Sequence, residues 1–186
     1  MFLRTERLFL RPPFPEDWRE VFAGIAEEKT VRMMASAPWP YTPQDARDWC
    51  EGRVHSDGRI CMVITLPGDS GAPVIGAIGW SPESGGQEIG YWIAPAHQRR
   101  GYATEALRGV VQTLRALGHR RLQAGHFVDN PASGRVLAAA GFRPTGAIEQ
   151  TPSAGRGGAS APLLRYALDL SEAEDADLVD APRVAA

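Results

Sequence analysis

Residues 101–118 constrain the fold of this chain more than any other segment. Their apolar residues recur at steps of three and one, the spacing of one face of an α-helix, and a glycine stands at each end. The apolar residues are Ala103, Ala106, Leu107, Val110, Val111, Leu114 and Leu117. Strand-like segments at 87–94 and 121–128 flank this helix. A strand, a helix and a second strand in this order predict a crossover connection between neighbouring strands of one sheet.

The other segments predict the rest of the fold. Glycine-rich turns separate 59–66, 73–80 and 87–94, which indicates a three-stranded antiparallel meander. Thr42 is a suitable N-cap for a helix that has Pro43 at its first position and ends near His55. We expect further strands at 3–11, 142–149 and 162–170, and further helices from 16 to 28 and from 131 to 140. The prediction is an α+β (mixed α/β) fold: a mixed, mostly antiparallel sheet of about seven strands with helices on both faces.

Length and charge limit the class of protein. The 186 residues suit one domain, which we assign to residues 1–170. Residues 169–186 contain six acidic side chains and one basic one, and we predict a disordered acidic tail at 171–186. The net charge of -2 argues against a nucleic-acid or membrane partner. No stretch of 18 apolar residues occurs and the first residues carry charge, so we expect a cytoplasmic protein.

No metal site is expected either. The two cysteines, Cys50 and Cys61, lack a metal-type partner at the required spacing, and we interpret them as thiols in or near the core.

The junction at 98–104 is a candidate anion site. A strand-to-helix turn leaves backbone N–H groups unpaired at the positive end of the helix dipole. Gly101 lets a phosphate approach the backbone, and residues 99–135 carry a local net charge of +5 from seven arginines and two acids. A solvated basic corner is the alternative. The chain has no G-x-x-x-x-G-K-[ST] motif and no G-x-G-x-x-G after a strand, which disfavours nucleoside triphosphates and dinucleotides.

Four spaced motifs resemble the GNAT superfamily of N-acetyltransferases. They are Glu88-Ile-Gly-Tyr-Trp-Ile-Ala-Pro95, Gln98-Arg-Arg-Gly101-Tyr-Ala103-Thr-Glu105-Ala, Asn130-Pro-Ala-Ser133 and Gly141-Phe142. The opening Thr5-Glu-Arg-Leu8-Phe-Leu10-Arg11-Pro12 is similar to the branch containing ribosomal-protein N-terminal (alanine/serine) acetyltransferases. The resemblance implies a GNAT-type fold and acetyl-CoA as co-substrate, with no metal.

It also implies the cofactor contacts. Backbone amides from Arg99 to Thr104 would hold the pyrophosphate, and the pantetheine arm would enter where the strand ending near Pro95 and the strand from Arg121 splay apart. Asn130 would contact the pantetheine, although Asn130-Pro131 is also typical of a helix N-cap. The expected cofactor-binding residues are Ile93, Gln98, Arg99, Arg100, Gly101, Tyr102, Ala103, Thr104, Asn130 and Ser133.

The resemblance further implies direct attack of an amine on the thioester in a ternary complex. A base must first take the amine proton, and Glu88 is our candidate, with a surface carboxylate at the start of a strand as the alternative. His97 lies close to the turn and could also serve as a base, the alternative being a solvated loop histidine. A main-chain amide near Trp92 or Ile93 would stabilise the oxyanion. Many family members carry a tyrosine seven residues after the asparagine, where this chain has Leu137. The ribosomal-type branch has a serine three residues after it, and Ser133 matches as the group that donates to or anchors the sulfur. A first-turn serine without a catalytic role is the alternative.

We expect the acceptor to be a primary amine, either a protein or peptide N-terminus or a small amine. The resemblance implies an acceptor pocket between the two N-terminal helices, their connecting loop and the last strands. The candidate lining residues are Trp39, Tyr41, Trp49, Trp80 and Trp92, although a tryptophan is more often a core residue than part of a substrate pocket. A non-catalytic CoA-binding regulatory module, and an acetyltransferase for a free amino acid or antibiotic, remain alternatives. The chain could be a monomer or a homodimer.

Overall fold

The computed structural model describes residues 1–52, 58–69 and 71–171. The predicted end of the second helix near His55 and the predicted disorder of the acidic tail from 172 onward lie outside these residues. In the described part, no helix is long and apolar enough to span a membrane.

The elements follow the predicted order, with two additions. The strands are β1 (Leu3–Arg4), β2 (Phe9–Arg11), β3 (Ile60–Thr65), β4 (Val74–Glu83), β5 (Gly86–Ile93), β6 (Arg121–Phe127), β7 (Arg143–Pro152) and β8 (Ser160–Asp169). The helices are α1 (Trp18–Ile25), α2 (Glu28–Val31), α3 (Pro43–Cys50), α4 (Tyr102–Ala116) and α5 (Pro131–Ala139). The eight strands of the described residues form one sheet in the order β1-β2-β3-β4-β5-β6-β8-β7.

The sheet is mixed and mostly antiparallel, as predicted. The β5–β6 pair is parallel and the other neighbouring pairs are antiparallel. Met62 and Ile78 pack against α4 and α5 on one face, whereas Val63 and Ala77 pack against α1 and α3 on the other. Because successive strand side chains point to opposite faces, the sheet supports helices on both faces, which confirms the predicted architecture.

Two N-terminal predictions differ from the structure. Residues 3–11 form a hairpin rather than one strand: β1 pairs antiparallel with β2, and the turn is closed by a hydrogen bond from Thr5 N to Leu8 O (3.0 Å). The sheet therefore has eight strands. The predicted helix from 16 to 28 is interrupted after Ile25, and α2 begins at Glu28. The capping prediction for the next helix is confirmed, because Thr42 accepts a hydrogen bond from Asp45 N.

A gap between β5 and β6 positions the site. Their parallel ladder ends at the pair Ile89–Ala124, although β5 continues to Ile93 and β6 to Phe127. Beyond the ladder, β6 pairs only with β8 on its other side. The two strands therefore separate at the point where the resemblance implies a splay, and the backbone of β5 beyond Ile89 is not paired with β6.

Candidate active site

The turn before α4 has the backbone of an anion site. Arg99 and Gly101 both have positive φ angles, 61° and 82°, and Gly101 is the N-cap of α4. The first hydrogen bond of the helix runs from Glu105 N to Gly101 O at 3.0 Å. The amides of residues 102–104 consequently have no acceptor within the helix and point beyond its N-terminus. Together with the dipole of this 15-residue helix they can bind a phosphate.

Gln98 ties this turn to the end of β5. Its side-chain Nε2 donates to the carbonyl of Ile93 at 2.9 Å. Gln98 therefore has two roles: its side chain connects the turn to the end of β5, and the residue also lines the cleft.

Thr5, Arg7 and Glu105, which come from two of the motifs, support the turn from outside the cleft. Glu105 accepts hydrogen bonds from Thr5 Oγ1 (2.6 Å) and from Arg7 N and Nε (2.8 and 2.7 Å). Arg7 Nη1 in turn donates to the carbonyl of Arg100 at 3.1 Å. Because a trans peptide directs its C=O and N–H to opposite sides, this contact turns the N–H of Gly101 away from Arg7. Burial favours a higher pKa for Glu105, but these hydrogen bonds outweigh it and the pKa lies below its ordinary value.

Sequence analysis missed the Arg7–Glu105 contact. Both residues belong to motifs on which the resemblance rests. Their opposite charges were the one sequence feature that could have indicated an ion pair between these motifs.

A cleft of about 550 Å³ opens from the turn toward α5. Nine of the ten predicted cofactor residues line it: Ile93, Gln98, Arg99, Gly101, Tyr102, Ala103, Thr104, Asn130 and Ser133. Arg100 is exposed and is not among the lining residues of the described chain; its carbonyl binds Arg7 instead. The opposite wall comes from residues 27–34, which sequence analysis did not assign to the site, and it includes Lys29, the only lysine of the chain.

A second cavity of about 290 Å³ lies beside the first. It includes Trp49, Trp80 and Trp92, three of the five residues predicted for the acceptor pocket, and Glu88, the candidate base. Trp80 and Trp92 are also largely buried core residues, 4% and 9% exposed. The two cavities share the lining residues Met33, Met34, Tyr91, Trp92, Asn130 and Ser133, so they meet at the gap between β5 and β6.

The other two predicted acceptor residues lie elsewhere. Tyr41 is buried among α1 and α3, and burial raises the pKa of its hydroxyl. Trp39 is 39% exposed. Neither lines the two cavities as far as the described residues define them.

Tyr91 and Ser133 form a hydrogen-bonded pair where the cavities meet. Tyr91 Oη lies 2.8 Å from Ser133 Oγ, a contact in which either hydroxyl can donate, and 3.2 Å from the Ser133 carbonyl oxygen, a second acceptor for the tyrosine proton. Burial raises the pKa of Tyr91 to about 12, although the bond to Ser133 opposes the rise. Asn130 Oδ1 accepts from Ser133 N at 3.3 Å, so Asn130 is the N-cap of α5 as well as a cleft residue. Sequence analysis missed Tyr91, because nothing local separates it from a core tyrosine of a strand.

Glu88 lies on the acceptor side of the sheet. Both of its carboxylate oxygens accept from Arg165, each at 3.0 Å. Burial raises the pKa of Glu88, and Arg165 partly offsets the rise. Along β5, Glu88 shares a face with Trp92, whereas Tyr91 points to the other face and lies about 10 Å further along the strand.

His97, the second candidate base, lines the cofactor cleft. Its buried Nδ1 has no hydrogen-bond partner among the residues of the described ranges.

Burial raises the pKa of both thiols: that of Cys50, which is buried, to about 12, and that of Cys61, which is partly buried and lines the second cavity. No group of three or more His, Cys, Asp or Glu residues in the described ranges is arranged to hold a metal ion.

Known proteins match the chain in sequence. The acetyltransferase (GNAT) domain family matches residues 7–143. The uncharacterized N-acetyltransferase YoaA of Bacillus subtilis is 41% identical, over 80% of this chain and 86% of that protein. The ribosomal-protein-serine acetyltransferase of Escherichia coli is 30% identical, over 78% of this chain and 84% of that protein.

Solved structures share the fold. An acetyltransferase of the GNAT family from Bacillus anthracis superposes with a TM-score of 0.79 at 22% identity, over 92% of this chain and 99% of that chain. Spermidine N-acetyltransferase from Vibrio cholerae, in complex with CoA and spermine, has a TM-score of 0.70 at 18% identity, over 89% and 96% of the two chains. With the domain family matching well over half of its length, the chain belongs to the GNAT acetyltransferase family.

Proposed function

We propose that this protein is an acetyl-CoA-dependent N-acetyltransferase that acetylates a primary amine, either a protein or peptide N-terminus or a small amine, by direct attack in a ternary complex. One observation carries the proposal. A cleft with an anion-binding turn and a second cavity meet at a gap in the sheet, and Tyr91, Asn130 and Ser133 line both. A donor and an acceptor that enter from the two sides would meet there.

The cleft fits acetyl-CoA. The free amides at 102–104, with Arg99 beside them, suit the pyrophosphate, and Lys29 adds a positive charge from the opposite wall. The pantetheine arm would follow the cleft past Ile93 and Asn130 to the gap. Bound acetyl-CoA supplies the activated acetyl thioester.

Residues on the two sides of the gap would have different roles in the reaction: one side would act on the amine and the other on the thioester sulfur. On the acceptor side, Glu88 would take the amine proton through water, since it lies three residues before Tyr91 on β5, on the opposite face of the sheet, and Arg165 binds its carboxylate. Backbone amides near Trp92 and Ile93 lie on the part of β5 that is not paired with β6, where one of them can stabilise the oxyanion. On the cofactor side, Ser133 would donate a hydrogen bond to the sulfur.

The size of the acceptor cavity favours a small group. A volume of about 290 Å³ accommodates an amine with one short side chain better than a large polycation. The 30% identical relative is named for a ribosomal-protein serine substrate, which supports an N-terminal residue as the acceptor.

The test measures thiol release from acetyl-CoA over a panel of acceptors: peptides that begin with serine or alanine, spermidine, free amino acids and an aminoglycoside. We expect turnover on at least one N-terminal peptide or small amine, and slower turnover in Glu88→Gln and Ser133→Ala. CoA binding without turnover on any acceptor would support a non-catalytic CoA-binding module instead. Absence of CoA binding would contradict the cofactor assignment.

A further inference from the structure

We propose that Tyr91 is a positioning residue for the transfer step: its hydroxyl donates to Ser133 Oγ, directs the serine hydroxyl toward the thioester sulfur, and so helps stabilise the leaving thiolate without giving up its proton. This inference rests on the proposed function and gives a role to Tyr91, a residue of the first family motif to which the resemblance assigned none.

The geometry supports this direction of donation. Tyr91 Oη is closer to Ser133 Oγ (2.8 Å) than to the Ser133 carbonyl (3.2 Å), and either hydroxyl could donate in the shorter contact. A phenol is a stronger acid than an aliphatic alcohol and is therefore the better donor. When Tyr91 donates to Oγ, the serine hydrogen is free to point into the gap that both residues line. Negative charge developing on the sulfur would favour this arrangement over the reverse one.

The two residues are held independently of a ligand. Tyr91 projects from β5, which is paired with β4 along its whole length, and Ser133 lies in the first turn of α5, capped by Asn130. Neither hydroxyl has to be reorganised when the thiolate forms. Hydrogen bonds in such a chain also polarise one another, so the Tyr91 donor strengthens the serine donor.

The pKa of Tyr91 disfavours proton transfer from the Tyr91–Ser133 pair to the thiolate. The pKa of Tyr91 is raised to about 12, whereas an ordinary thiol has a pKa near 8.5. Moving the tyrosine proton to the thiolate would be unfavourable by roughly three to four powers of ten. In the proposed step the C–N bond forms, the C–S bond breaks and its electron pair stays on sulfur. The amine proton leaves through water and Glu88, and water later protonates the thiolate.

Three variants test the inference: Tyr91→Phe, Ser133→Ala and the double variant. We expect Tyr91→Phe to lower kcat about tenfold with the KM for acetyl-CoA nearly unchanged, less than the roughly 10²–10³-fold loss for a donor that touches the reacting atom itself. Ser133→Ala should lose at least as much, and the double variant no more than Ser133→Ala. Ser133→Thr, which keeps the hydroxyl, should retain most of the effect of Tyr91.

Tyr166→Phe is the matched control. Tyr166 lies on β8 beside His126, on the same side of the sheet, and it makes no hydrogen bond with Ser133. Its loss of a hydroxyl should leave kcat unchanged. If Tyr91 merely anchored α5, both tyrosine variants would alter thermal stability, and the kinetic loss of Tyr91→Phe would persist in the Ser133→Ala background.

Two further measurements separate hydrogen bonding from acid catalysis. The alkaline side of the kcat–pH profile should be the same in wild type and Tyr91→Phe, because no proton of the pair is transferred. With acetyl-seleno-CoA, whose selenolate is a weaker base than the thiolate, the loss of kcat in Tyr91→Phe should be smaller.

A wild-type protein without turnover overturns the proposed function and this inference together. An active wild type with an unaffected Tyr91→Phe, or with an alkaline limb that this variant abolishes, overturns this inference alone.

Discussion

The Arg7 guanidinium and the Glu105 carboxylate, 98 residues apart in the chain, bind each other at 2.7 Å and join the first hairpin to the first turn of α4. Through the bond from Arg7 to the Arg100 carbonyl, the same contact orients the backbone of the anion-binding turn. The N-terminal motif therefore supports the cofactor site from outside the cleft.

Replacing Glu105 by Gln should weaken both the fold and the cofactor site. Because the folded pKa of Glu105 is lowered, its contribution to stability is present above the ordinary glutamate value of about 4.5 and is lost as pH falls through the lower folded value. At pH 7 we expect a loss of about 1–3 kcal/mol in the free energy of unfolding, measured by denaturant titration. CoA affinity should fall several-fold by calorimetry.

Glu6→Gln provides the control for that variant. Glu6 lies in the same turn, is exposed, and forms no hydrogen bond or ion pair with residues of the described ranges. It should leave stability and CoA affinity within the error of the wild-type values. Equal effects of the two substitutions would show that net charge, rather than the contact, matters.

Gly101→Ala should weaken CoA binding at least tenfold. The added Cβ would lie at the turn that the phosphate approaches, 3.4 Å from Arg7 Nη2, and the positive φ of 82° adds backbone strain of about 1 kcal/mol. Gly118→Ala is the matched control, since its φ is 83° and no heavy atom lies within 4 Å of its added Cβ. Gly118→Ala should cost similar stability and bind CoA normally. Equal CoA affinities of the two variants would argue against the turn as the phosphate site.

The acid side of the pH–rate profile should report Glu88. Since burial raises its pKa, kcat/KM should fall with decreasing pH at a value above that of an ordinary glutamate, and Glu88→Gln should remove this limb. Arg165→Met should move the limb to higher pH, because Arg165 opposes the rise. Glu149→Gln, which removes the more distant carboxylate 3.6 Å from Arg165, should change the profile little. An unchanged acid limb in Glu88→Gln would exclude Glu88 as the base.

Gly134→Ala should disturb the helix turn that carries Ser133. An added Cβ would lie 2.6 Å from His126 Nε2 and 3.2 Å from Tyr166 Oη, so α5 or the histidine must shift. We expect a loss of about 1–3 kcal/mol in unfolding free energy, together with a lower kcat. A double-mutant cycle with His126→Ala should show partial rescue, since the smaller side chain removes the clash. Strict additivity would contradict the steric explanation.

Local patterns predicted most elements, and the exceptions have tertiary causes. The period of α4 and the turn residues of the meander are properties of neighbouring residues, so they can be read from one sequence. A single strand and a short hairpin have the same alternation over 3–11. The hairpin is selected by Glu105, which hydrogen-bonds Thr5 and Arg7 across 98 or more residues.

The turn before α4, the N-cap of α5 and the fold class could be predicted from the residues alone, because a helix start, a cap and a period depend on residues a few positions apart. Three contacts could not be predicted in this way: Arg100 presents its carbonyl to Arg7, Arg165 binds Glu88, and Tyr91 lies against Ser133. These contacts join elements 42 or more residues apart. Their geometry depends on sheet register and on the separation of β5 from β6, which no local spacing encodes.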